Sequence, residues 1–141
     1  MLIDLYNFKI RNRNVMTKQE FKESIDSEIL TGIKAGTDDH RFLDIWMVIV
    51  DDRIFARSWG IAERSWYNTF LNNENGKIKS GDKVFNIKAK IPEDLYELEE
   101  PINNAYMKTY DFGTNAFFAK GLAGKKHVEK TMEFILEDEV V

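Results

Sequence analysis

The segment from residue 41 to residue 58 restricts the fold most, because it joins two apolar runs through a very short polar turn. Residues 41–50 are almost entirely apolar and rich in β-branched side chains, which predicts a buried central strand. Asp51 and Asp52 follow as a candidate two-residue turn, and residues 53–58 continue as a second strand. The sequence therefore predicts an antiparallel β-hairpin at this point.

Apolar periodicity predicts the remaining elements. Thr17 and Glu20 have capping-box spacing, which indicates a helix that buries Phe21 and Ile25. Further helices are predicted around residues 66–71 and from Pro101 to Tyr110. Strands are predicted at residues 28–34, 41–50, 53–58, 77–80, 83–91 and 128–136. In the fifth strand one face carries Phe85, Ile87, Ala89 and Ile91. In the last strand apolar residues alternate with polar ones: Val128, Met132, Phe134 and Leu136 against Glu129, Thr131, Glu133 and Glu137. The expected fold is mainly β (α+β), with six strands and about three short helices.

The composition is that of one folded domain. The chain has 141 residues, of which 43% are hydrophobic, and it contains only 2 Pro and 8 Gly, so it can build one core and shows no linker. We expect residues 1–16 to form an N-terminal arm and residues 17–141 a single domain. The absence of cysteine excludes disulfides, thiol redox chemistry and cysteine-type metal sites.

Charge and hydropathy limit the cellular location and the classes of partner that we expect for this chain. The formal net charge of −4 provides no field that favours nucleic acid or an anionic membrane. The longest apolar run, residues 45–50, is far shorter than the roughly 20 residues of a membrane-spanning helix. Apolar residues precede the basic ones at the amino terminus, the reverse of a secretory signal. We therefore expect a cytoplasmic protein without nucleic-acid or membrane partners.

The segment from residue 57 to residue 67 carries the strongest chemical signal. Two guanidinium groups and two hydroxyl groups lie around the end of a predicted strand and the start of a predicted helix, where free N–H groups attract anions. Aromatic rings in the same segment are suited to a planar ring system. The residues concerned are Arg57, Ser58, Arg64 and Ser65 for an anion and Trp59, Trp66 and Tyr67 for a ring.

A purely structural alternative stays open for this segment. In that interpretation Ser65 or Glu63 caps the helix, Trp66 and Phe70 fill the core, and the arginines are solvated. The pattern otherwise predicts a site for a phosphorylated aromatic ligand.

A second basic cluster precedes the last predicted strand. It either completes an anion pocket, if that strand lies beside Arg57, or forms a solvated loop. Its members are Lys120, Lys125, Lys126, His127 and Lys130.

The sequence lacks the motifs of metal centres and of the common nucleophilic and nucleotide-binding sites. Asp38, Asp39 and His40 are ligand types, but no ligand spacing accompanies them, and we predict no metal site. Nucleophile-elbow, Walker and dinucleotide-binding glycine motifs are absent.

Several motifs resemble those of a known bacterial family. The sequence between about Ser27 and Leu136 resembles an uncharacterised bacterial domain-of-unknown-function family, which is similar to the flavin-binding split β-barrels. Those include the pyridoxamine phosphate oxidases and the deazaflavin-dependent nitroreductases. Trp66-Tyr67 is similar to the start of the Trp-Tyr-x-Asn-Leu pattern of the deazaflavin enzymes, with the asparagine displaced to Asn68 and no proline before the tryptophan. The motifs are the runs at residues 57–60, 64–67, 76–78 and 102–110.

The resemblance implies a fold, a ligand and an assembly. The fold would be a six-stranded, mostly antiparallel split β-barrel that forms a homodimer, with a small-molecule site at the subunit interface. The cofactor would be FMN or F420; the 14 Ile, 14 Lys and 11 Asn suggest an AT-rich genome, which favours FMN by association. The residues implied around the phosphate are Arg57, Ser58, Arg64, Ser65 and Trp66, with Arg41, Lys125 and Lys126 as further candidates.

Two functional hypotheses follow. The first is a flavin-phosphate-binding protein, with reduction of a small organic substrate as the activity that the resemblance would allow. A bound flavin supplies the redox chemistry itself, so no catalytic triad is needed. The alternative is a non-catalytic split barrel that binds a small molecule or a protein, with its pocket filled by Trp46, Trp59 or Trp66.

Overall fold

The computed structural model describes residues 16–28, 30–36, 41–59, 65–110, 113 and 115–140. Within these ranges the chain forms five helices and seven strands, a mixed α+β fold. The helices are α1 (Lys18–Ser27), α2 (Trp66–Asn72), α3 (Glu99–Tyr110), α4 (Asn115–Gly121) and α5 (Lys125–Val128). The strands are β1 (Thr31–Ala35), β2 (Leu43–Ile45), β3 (Val48–Val50), β4 (Arg53–Arg57), β5 (Asn75–Ser80), β6 (Lys83–Lys90) and β7 (Thr131–Glu139).

The strands form one antiparallel sheet in the order β2-β1-β5-β6-β7-β4-β3. Its two edge strands, β2 and β3, are separated in sequence only by Trp46 and Met47. Because two residues span from one edge to the other, the sheet must curl into a half-barrel. The predicted antiparallel, barrel-like α+β fold is confirmed, whereas the prediction of six strands and three helices is wrong.

Residues 41–50 account for the additional strand. They form two short edge strands, β2 paired with β1 and β3 paired with β4, instead of the single central strand that the apolar run predicts. Met47 points into the half-barrel, while Val48 packs on the opposite side of the sheet. An apolar run signals burial but not the identity of its neighbours, so the change of pairing partner is invisible in the sequence.

The most local predictions are confirmed. Asp51 and Asp52 both have left-handed backbone conformations, with φ of 51° and 62°, as a type I′ hairpin turn requires. The capping box is also present: Thr17 Oγ1 accepts from the Glu20 N–H at 3.1 Å, and the Glu20 carboxylate accepts from the Thr17 N–H at 3.1 Å. Both signatures depend only on neighbouring residues, which is why the sequence reveals them.

The C-terminal third departs most from the predicted elements. Helices α4 and α5 occupy much of the stretch before β7, and Val128 ends α5 instead of starting the last strand. Glu133, predicted on a polar alternating face, is only 3% exposed because its carboxylate accepts two hydrogen bonds from Arg53, at 2.8 and 3.0 Å. Ile91, predicted on the buried face of β6, lies past the strand end and is 47% exposed.

Two apolar clusters fill the two sides of the sheet. The barrel core lies inside the curve and includes Phe21 of α1, Phe70 of α2 and Phe134 of β7. The outer core lies between the opposite face of the β3–β4 hairpin and the helices α3 and α4, and includes Phe55 and Ile102. Helix α3 therefore covers the outside of the half-barrel.

Two buried tyrosines of α3 hold the connection between β2 and β3. The Tyr106 hydroxyl donates to the Trp46 carbonyl at 2.9 Å and accepts from the Arg57 N–H at 2.9 Å. The Tyr110 hydroxyl donates to the Met47 carbonyl at 3.2 Å. Burial raises the pKa of Tyr106 to about 12, so its hydroxyl remains a donor at neutral pH.

The predicted N-terminal arm lies outside the described residues except for Met16, which packs against the barrel core.

Among the helices of the described ranges, none has both the length and the apolar character needed to cross a membrane.

Tyr106→Phe should destabilise the fold, since it leaves a partly buried carbonyl and a buried N–H without their common partner. We expect a loss of about 2 kcal/mol or more in the free energy of unfolding, measured by chemical denaturation. Tyr96→Phe is the matched control, because Tyr96 is 82% exposed. Equal denaturation midpoints for Tyr106→Phe and the parent would contradict the role of this hydroxyl.

Candidate functional site

A pocket of about 330 Å³ lies between the edge strand β2, the end of β4, the start of α2 and the helix α4. This volume is at the lower end of the range typical of small-molecule sites, roughly 300–1,000 Å³. Most of the lining is apolar, and aromatic side chains form much of it. Those side chains are Trp46, Trp59, Trp66 and Phe118.

Strand β4 places the cationic side chain of Arg57 in the lining of this pocket. The register of β4 against β7 places Arg57 opposite Thr131, on the outer face of the sheet beneath α3. The strand ends there, and the Ser58 N–H donates to the Lys130 carbonyl at 3.2 Å. Arg57 and Ser58 therefore lie side by side in the pocket lining, and both are more than nine-tenths buried.

Within the described part of the chain, the Arg57 guanidinium donates only to uncharged acceptors. Burial lowers the pKa of this group, although an arginine still stays protonated at neutral pH. The acceptors are the Thr131 hydroxyl at 3.3 Å, the Leu122 carbonyl at 3.0 Å, the Glu99 carbonyl at 3.1 Å and the amide oxygen Oδ1 of Asn103. The group thus links β4, β7, α3 and the end of α4.

Trp59 forms a partly exposed wall of the pocket. Its ring stacks on His127, with centroids 4.8 Å apart and planes 4° from parallel. His127 is fixed in turn, because its Nδ1–H donates to the Ser58 carbonyl at 2.9 Å. Gly121 lies against the ring edge: a Cβ at this position would be 2.7 Å from Cη2 of Trp59. The glycine therefore makes room for the observed position of the ring.

Trp46 forms another wall and is held from behind. Its ring stacks on Tyr110 with centroids 4.2 Å apart and planes 5° from parallel. Phe118 meets both Trp46 and Trp59 edge-on, at 6.5 and 5.4 Å. The described aromatic lining is thus ordered by ring contacts behind it and at its rim.

One family model matches residues 16–134, which is most of the chain. Its description is "Uncharacterized protein conserved in bacteria (DUF2255)". The chain belongs to this family. A search of curated proteins finds no match.

Two solved structures with low sequence identity have a similar fold. A conserved hypothetical protein from Mycobacterium tuberculosis is 14% identical, with a TM-score of 0.53, over 90% of this chain and 81% of the other. An FAD-binding protein from Mesorhizobium loti is 10% identical, with a TM-score of 0.54, over 91% of this chain and 98% of the other. Both sequence identities are low, so these two comparisons show the fold of the chain and nothing about its function.

The pocket brings together five of the residues that the sequence predicts. Arg57, Ser58, Trp59, Ser65 and Trp66 all contribute to its lining. Arg57 is buried, so the alternative of a solvated side chain is wrong for this arginine. Other parts of the structural alternative are confirmed: the Ser65 hydroxyl caps α2 by accepting from the Asn68 N–H at 3.3 Å, and Trp66 and Phe70 belong to the barrel core.

Of the remaining predicted residues, those that the structure describes do not line the pocket. Tyr67 lies in the barrel core, and its hydroxyl donates to the Glu129 carbonyl at 3.4 Å. Arg41, Lys125 and Lys126 are exposed outside the pocket lining. Arg64 lies outside the described residues, as do Asp38, Asp39 and His40. In the described ranges, no three His, Asp or Glu side chains cluster in a way that could hold a metal ion.

Several site residues have weak sequence signals. Phe118 follows Phe117 in a glycine-flanked stretch, which marks an aromatic pair but not its position. Asn103 is half-buried on α3; it belongs to the run 102–110 that carries the resemblance, but that run does not indicate a contact with Arg57. The second basic cluster is expected to reach an anion pocket only if the last strand lies beside Arg57. That strand, β7, does pair with β4 at Arg57. Its His127, not its lysines, then reaches the pocket wall.

Gly121→Ala should be destabilising only while Trp59 is present. The added methyl group forces the indole to move, and overpacking of this kind costs about 1–3 kcal/mol. In a Trp59→Leu background the same change should be neutral or stabilising, because alanine favours the helix. A double-mutant cycle of unfolding free energies measures the coupling. Additive effects would show that residue 121 does not set the position of this wall.

Proposed function

We propose that this chain binds a flavin in the pocket formed by β2, β4, α2 and α4. The observation that carries the proposal is an open, aromatic-walled pocket with a buried cation, Arg57, in its lining. Planar aromatic ligands bind to such walls by stacking and edge contacts. The fold of the FAD-binding Mesorhizobium loti protein supports the same ligand class.

The pocket is suited to the ring part of the ligand. Trp46 and Trp59 provide ring faces and edges, and Arg57 and Ser58 provide polar groups in the lining. The limited volume of about 330 Å³ favours entry of the ring system, with the nucleotide tail left towards the mouth. When bound, the flavin supplies the redox chemistry, and the chain binds and orients it.

FMN is the first ligand to test, with F420 and FAD beside it. Reduction of a small organic substrate is the activity proposed for the loaded protein. The non-catalytic alternative predicts a pocket filled by Trp46, Trp59 or Trp66, yet these side chains line a pocket of about 330 Å³. The open volume therefore favours the flavin-binding proposal.

Trp59→Ala should weaken flavin binding about tenfold, since ring stacking contributes on the order of 1–3 kcal/mol. Titration with FMN, FAD and F420, followed by tryptophan and flavin fluorescence, measures the dissociation constants. Trp59 is 46% exposed, so the fold should survive the change. Tyr96→Ala, which removes an aromatic side chain that is 82% exposed, is the control and should bind like the parent.

Failure of all three flavins to bind the folded parent protein would contradict the proposal and favour the non-catalytic binding module. The homodimer implied by the family resemblance stays a prediction. Light scattering of the purified protein, with and without flavin, tests it directly.

A further inference from the structure

Arg57 has little remaining capacity for hydrogen bonding. A guanidinium has five N–H donors, and four of those in Arg57 already have acceptors: one from Nε, two from Nη1 and one from Nη2. One N–H of Nη2 has no acceptor among the described residues. A phosphate is normally gripped by two parallel N–H groups of an arginine, which Arg57 can no longer offer.

Among the described residues Arg57 also has no ion-pair partner, in contrast to a neighbour on the same strand, although the charge of Glu99 acts on it from beyond ion-pair distance. Arg53, on the same face of β4, forms bidentate hydrogen bonds with the carboxylates of Asp94 and Glu133, all between 2.8 and 3.0 Å. No described carboxylate forms an ion pair with Arg57. A buried charge without a contacting counter-ion is costly, so an electron-rich ligand atom would be favoured beside it.

We propose that Arg57 binds a single electron-rich oxygen on the edge of a planar aromatic ligand, such as a ring carbonyl, enolate or carboxylate oxygen. In its flavin form the inference rests on the proposed function: the ring carbonyl edge faces Arg57, and the phosphate lies away from it. This assignment differs from the sequence-based prediction, which places Arg57 beside the phosphate. The aromatic walls select a planar ligand, and the one N–H selects one oxygen.

Riboflavin tests the position of the phosphate, because it has the ring system without that group. We expect riboflavin and FMN to bind the unmodified protein with dissociation constants within about threefold of each other. A riboflavin affinity more than about thirtyfold below that of FMN would place the main anchor on the phosphate and overturn the proposal.

Asn103→Asp tests the charge. The substitution puts a carboxylate where Oδ1 of Asn103 already accepts from Arg57, so the hydrogen bond stays and the cation is neutralised. We expect riboflavin to bind about tenfold more weakly while the thermal midpoint is unchanged or higher. A purely structural role for Arg57 predicts no loss of affinity. Asn104→Asp, the same change at the exposed neighbouring residue, should alter the affinity less than twofold.

A ligand without a flavin ring separates this inference from the proposed function. Calorimetry with 2-naphthoate and with 2-naphthylmethanol compares one planar ring with and without a carboxylate. We expect the unmodified protein to prefer naphthoate and Asn103→Asp to lose that preference. If no flavin binds but this pattern holds, the flavin proposal fails and the role of Arg57 stands. If flavin binds and Asn103→Asp has no effect, the proposed role of Arg57 fails while the flavin proposal stands. If the unmodified protein shows no preference for naphthoate, the proposed role of Arg57 is also overturned.

Discussion

The Tyr106 hydroxyl links the parts of the chain that make this sheet curl. It joins the Trp46 carbonyl, between the two edge strands, to the Arg57 N–H at the end of β4. The backbone at Trp46 and Met47 changes pairing partner, so its carbonyls leave the ladder and need hydrogen-bond donors from elsewhere. Helix α3 supplies them through Tyr106 and Tyr110, and the outer core holds that helix in place.

The same helix connects the fold to the pocket. Within two turns, α3 provides the Glu99 carbonyl and the Asn103 amide to the Arg57 guanidinium, and Tyr106 to the Arg57 backbone. The ring of Tyr110 supports the Trp46 wall. Contacts that close the half-barrel therefore also position a cation and an aromatic surface.

Sequence patterns predict what neighbouring residues determine. The turn at Asp51 and Asp52 and the capping box at Thr17 depend on local backbone preferences, and both are present. The aromatic and basic segment after β4 also predicts part of the pocket lining. The division of residues 41–50 depends on distant pairing partners, and the burial of Glu133 depends on Arg53, 80 residues away. Apolar periodicity reflects only which side of one segment is buried, so both features become visible only in the three-dimensional structure.

The two sides of the pocket differ in rigidity, and the difference bears on recognition. Arg57 is buried and bonded to several elements, so its remaining N–H has a fixed position. Trp59 is 46% exposed and is held by the His127 stack and by the space above Gly121, contacts that permit small shifts. A fixed polar group discriminates among ligands, because a mismatched partner leaves it unpaired. An adjustable aromatic wall adds affinity for many planar rings, so selectivity in this pocket should reside at Arg57.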